Sequence, residues 1–143
     1  MTPFWRRRPD PLGDGVWRRA HDRFRRAVDR FHQMLEAVPA GPLRDRLELV
    51  GAGLAADLDA VRARCERAQA AAPSASLDVP GGPDGAAPEL HRTLTRAATL
   101  AAQAAEAVAM TRVSLRSGRP EDAAGRVAAA ERAAAQVRQL LTP

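Results

Sequence analysis

VWRRAHDRFRRAVDRFHQML, residues 16–35, returns to an aromatic side chain every seven positions, at Trp17, Phe24 and Phe31. Ala20, Ala27 and Met34 follow each ring by three residues, and His21, Val28 and Leu35 by four. On a helix these positions merge into an apolar stripe about 100° wide, the width that a bundle helix presents to its core. The repeat therefore predicts a core seam. The opposite side carries Arg18, Arg19, Arg25 and Arg26, with Asp22 and Asp29 between them and Arg23 and Arg30 beside them. Arg18 to Asp22 and Arg25 to Asp29 have the i,i+4 spacing of surface ion pairs, worth about 0.2–0.5 kcal/mol each.

Punctuation on either side of this helix extends the reading to the whole chain. Pro3, Pro9, Pro11 and Gly13 make residues 1–13 an irregular arm, and Asp14 is placed to cap the first helix. Pro39-Ala40-Gly41-Pro42 ends that helix, and Pro42 suits the opening turn of a second, where a backbone N–H has no internal acceptor to lose. Leu43, Leu47, Val50, Leu54, Leu58, Val61, Cys65 and Ala68 recur in steps of three and four. The first helical hairpin thus covers residues 14–72. Residues 73–87, PSASLDVPGGPDGAA, have the composition of a flexible Pro/Gly linker.

A second hairpin occupies 88–143. Its first helix carries Leu90, Leu94, Ala97, Ala101, Ala105, Val108 and Leu115, and Ser117-Gly118-Arg119-Pro120 turns the chain. Ala123, Val127, Ala130, Ala134, Val137 and Leu141 then continue the stripe. β-branched residues nowhere alternate with polar ones. The expected fold is all-α, one domain, a four-helix bundle of two antiparallel helical hairpins joined by the linker. Ala-lined faces permit close helix approach but bury little area each, so dimerisation is an attractive way to bury more.

Charge is unevenly placed. The 143 residues carry a formal net charge of +5 and no Lys, Ile, Tyr or Asn. Nine of the 22 Arg, but only four of the 17 acids, lie in residues 1–30; the remaining 113 residues balance. All five aromatic residues lie in the first 31. The front of the chain is basic and ring-bearing; the rest is neutral and aliphatic.

That front is the candidate docking region. Phe4 and Trp5 read as insertion anchors, Arg6, Arg7 and Arg8 as charge attraction, and Arg18, Arg19, Arg25 and Arg26 as a secondary face. Trp favours the membrane interface, and each Arg near an anionic leaflet contributes about 1 kcal/mol. Arg and Trp also dominate contacts between proteins. The expected function is a non-catalytic helical adaptor or scaffold that docks on a protein partner or an anionic membrane surface. Non-specific nucleic-acid binding is the alternative, through Arg on phosphates and Trp5 on an unpaired base, although Asp22 and Asp29 interrupt the basic face.

Little else carries chemistry. His21, His32 and His91 lack the i,i+4 or Glu-x-x-His partners of a helical metal site, so no metal or cofactor is expected. Cys65 lies on an apolar stripe and reads as an inert buried thiol, with no disulfide partner in the chain. Gly51 and Gly53 read as a close helix crossing or a kink, because no strand precedes them as a phosphate loop requires. No pair of carboxylates has a reason to be desolvated. Pro, Asp and Gly interrupt the start where a signal peptide needs an apolar run, and no segment reaches about 18 apolar residues. A cytoplasmic location, with peripheral attachment at the inner face of a membrane, is the expectation.

Overall fold

The computed structural model describes residues 9–143. Among these there are four α-helices and no strand: α1 Val16–Glu36, α2 Pro42–Ala71, α3 Ala87–Arg116 and α4 Pro120–Leu141. They form a helical bundle. α1 packs on α2 and α3, α4 packs on α3 and α2, and α2 and α3 touch only slightly across a diagonal. The α1–α3 flank and the α2–α4 flank are therefore opposite sides of the molecule.

The aromatic repeat of α1 is the core seam. Trp17, Phe24 and Phe31 are fully buried, and Ala20, His21, Ala27, Val28 and Leu35 are buried with them. Trp17 also satisfies its one polar group, donating from Nε1 to the Ala72 carbonyl at 2.9 Å. These rings supply bulk to a core whose lining on α3 and α4 is largely Ala. α3, flanked by two extensive contacts, buries Ala98, Leu100, Ala104 and Ala107 in addition to the expected stripe. Small residues around most of its circumference let both neighbours approach it closely.

The helix ends follow local chemistry, with one exception. Pro42 stands in the first turn of α2 behind Gly41, whose φ is 150°. α3 closes on Gly118 at φ 68°, where the Arg119 N–H reaches the Ser114 carbonyl and the Gly118 N–H the Leu115 carbonyl. This pair of bonds satisfies two of the orphan carbonyls of the last turn. The exception is Asp14, which does not cap α1. Gly15 holds the cap position, and the Val16 N–H donates instead to Ser74 Oγ at 3.2 Å. A side chain at Gly15 would collide with Ser74, its Cβ falling 2.4 Å from the carbonyl oxygen. A tertiary contact from beyond α2 has replaced the local cap.

The chain just before α1 also differs from expectation. Leu12, assigned to the arm, is only 1% exposed and belongs to the core. Asp10 Oδ1 accepts the Leu12 N–H at 2.9 Å, and the Asp10 carbonyl accepts the Gly13 N–H at 2.9 Å. This turn, with Gly13 at φ 65°, folds residues 10–13 back on the bundle.

Candidate docking face

Phe4, Trp5, Arg6, Arg7 and Arg8 lie outside the described residues. The helical part of the predicted site is described: Arg19, Arg25 and Arg26 are exposed and Arg18 is half-buried. At about 100° per residue, Arg19 and Arg26 lie on one side of the Asp22–Asp29 line and Arg18 and Arg25 on the other. Neither expected i,i+4 pair forms. Arg18 instead pairs with Asp10 and donates from Nε to the Gly13 carbonyl at 2.7 Å. Asp22 Oδ1 lies 2.8 Å from His21 Nδ1, and no ion pair joins Arg25 to Asp29. The turn that buries Leu12 delivers Asp10 to Arg18. The Leu12 N–H, and then Arg18, hold the Asp10 carboxyl below its usual range.

A different set of arginines is brought together. Arg19, Arg23, Arg26 and Arg30 are exposed and spaced four, three and four residues apart, so they form one stripe along the α3 side of α1. Arg23 Nη2 donates to Thr99 Oγ1 of α3 at 3.3 Å. Next to it a shallow groove of about 430 Å³ is lined by His91, Arg92, Thr95, Arg96 and Thr99. Arg92 and Arg96 are exposed, and no carboxylate lines the groove. At the far end of the stripe Glu106 approaches Arg30 at 3.9 Å.

Arg19, Arg26, Arg92 and Arg96 make no ion pair within 4 Å among the described residues. Each guanidinium is permanently charged and offers a planar fork of donors that matches carboxylate and phosphate oxygens. His91 packs edge-on against Trp17, with ring centroids 6.1 Å apart at 70°. Burial pushes its pKa down, so it stays neutral at pH 7 and the cationic character belongs to arginine alone.

Arg23, Arg92 and Arg96 escaped the sequence reading because their proximity comes from the packing of α1 on α3. Arg92 and Arg96, one turn apart, were the only local signal. The other candidates stay inside the scaffold. Cys65 is buried, and its thiol is pushed up to about 12 by that burial. Asp57, 8% exposed at its side chain, accepts from Arg138 Nε of α4 at 2.9 Å. Among the described residues no group of three His, Cys, Asp or Glu could hold a metal ion, and no helix is long and apolar enough to cross a membrane.

Comparison with protein-family models, with curated proteins and with solved structures finds no match for this chain.

Proposed function

We propose that the protein is a non-catalytic helical adaptor that docks through its basic N-terminal region on an acidic surface, either an anionic membrane or a protein partner. The observation that carries this reading is the carboxylate-free groove holding the exposed Arg92 and Arg96 of α3, joined to the arginine stripe of α1 by the bond from Arg23 to Thr99. It adds Arg23, Arg92 and Arg96 to the expected Arg18, Arg19, Arg25 and Arg26, of which Arg18 is engaged by Asp10. Phe4, Trp5, Arg6, Arg7 and Arg8 extend the same region and supply its aromatic anchors. The scaffold beneath is read as two antiparallel hairpins joined by a flexible connection. In support, Trp17 meets Ala72 while Phe31 and His32 meet Gly51, so numbering rises along α1 as it falls along α2.

The proposed setting is cytoplasmic, with the docked state peripheral. Co-sedimentation with vesicles of phosphatidylcholine and phosphatidylserine tests the reading. Arg near such a surface is worth about 1 kcal/mol, so each of R19Q, R26Q, R92Q and R96Q is expected to weaken binding about fivefold. R119Q, on the loop before α4, serves as the control. Vesicles ignored by the intact chain, together with DNA bound with a steep salt dependence, would replace this reading by the nucleic-acid one. Retention of an acidic protein by the wild type and not by the arginine variants assigns the face to a protein partner.

A further inference from the structure

The bundle is not filled where α2 ends and α3 begins. These two helices touch only slightly across the diagonal, and Ala68, Ala72 and Ala87, buried where they approach, are too short to close the gap. What remains is a pocket of about 350 Å³, near the small end of the roughly 300–1,000 Å³ span of small-molecule sites. Leu90, half-buried, is the largest apolar side chain in its lining, and the exposed Ala71 stands at its rim.

Hydrogen bonds hold the walls. The Ala72 carbonyl accepts from Trp17 Nε1, and Asp84 Oδ1 accepts the Ala86 N–H at 3.1 Å. Gly82, at φ 77°, brings the 73–87 segment down beside the apolar floor. A Cβ there would stand 3.2 Å from the Ala87 Cβ and 3.6 Å from the Ala72 Cβ.

The charged groups of the pocket are few and unequal. Arg64 and Arg67, one turn apart on α2, both line it, and Asp84 is the one acid among the described residues of the lining. Neither guanidinium makes an ion pair within 4 Å among the described residues. Arg64 spends one donor on the Leu141 carbonyl and keeps the rest of its fork, while Arg67 is exposed. Two cations against one acid leave a surplus of one positive charge beside an apolar floor.

We infer that this pocket binds a short-chain aliphatic monocarboxylate, with its chain on Ala68, Ala72, Ala87 and Leu90 and its carboxylate on the guanidinium groups of Arg64 and Arg67. One carboxylate balances the surplus charge, and its two oxygens match the planar donor fork of arginine. An ammonium headgroup would face two like charges instead. An uncharged chain would gain the floor alone.

Isothermal titration calorimetry of the full chain with sodium octanoate tests it. The wild type is expected to bind one octanoate saturably, with affinity falling about fourfold for each carbon removed in heptanoate and hexanoate, and to bind octylammonium far more weakly. R67Q is expected to weaken octanoate about fivefold or more while leaving 1-octanol unchanged. A71W, at an exposed position on the rim, is expected to block both, and circular dichroism checks that each variant keeps its helices. Failure of the wild type to bind octanoate at millimolar concentration, equal binding of octylammonium, or undiminished octanoate binding by either variant overturns the inference. So does loss of octanoate in R92Q or R96Q with R67Q unaffected, which would place the carboxylate on the arginine groove.

Discussion

Asp57 and Glu131 show how position decides the sign of a charge's contribution. Both meet an arginine between α2 and α4, Asp57 with Arg138 and Glu131 with Arg46. Glu131 is well solvated, and its bond to Arg46 lowers its pKa. Its contribution is present above the ordinary carboxylate range and is lost as pH falls through the lowered value. Asp57 is buried, and desolvation raises its pKa despite the pull of Arg138. The folded state then binds the proton more tightly than the unfolded one, so this group's contribution grows less favourable as pH rises through its raised pKa. D57N keeps an acceptor for Arg138 and removes the buried charge. It is expected to be at least as stable as wild type at pH 7 and to lose that advantage near pH 3, as read by urea denaturation at both pH values. A variant markedly less stable at pH 7 would show that the charged pair outweighs its desolvation.

At the scale of the element, α2 contains two glycines with different duties. Gly51 lies where α1 crosses, under Phe31 and His32. G51A is expected to cost about 1–3 kcal/mol through overpacking against the His32 ring and the buried Phe31 ring, less the gain in helix propensity. G53A has space and is expected to stabilise the fold by up to about 1 kcal/mol. Thermal denaturation of the two variants checks the contrast; equal effects would remove the distinction on which the packing argument for α2 rests. Sequence reading treated the two alike, because both sit in one VGAGLA segment and the difference is a matter of which helix arrives at which face.

The whole molecule defines where the arm ends. Because Leu12 is in the core and Asp10 holds Arg18, removal of residues 1–13 is expected to cost about 2–5 kcal/mol more than removal of residues 1–8, the penalty of an emptied Leu site. Denaturant midpoints of the two truncated chains measure this. It follows that the shorter truncation isolates the contribution of Phe4, Trp5 and Arg6–Arg8 to docking, while the longer one confounds docking with unfolding.

Periodicity alone determined the all-helical class, the positions of the four helices and the burial of Trp17, Phe24 and Phe31, because a seven-residue repeat of rings admits one stable environment in water. The Pro and Gly punctuation did the same for the helix ends at Pro42, Gly118 and Pro120, where the controlling interactions span only a few residues. Tertiary structure alone decided that Ser74 caps α1, that Asp10 engages Arg18, and that Arg23 gathers with Arg92 and Arg96. Each of those contacts joins residues on separate segments or depends on the rotation of one helix against another, and a one-dimensional pattern carries no information about rotation between helices.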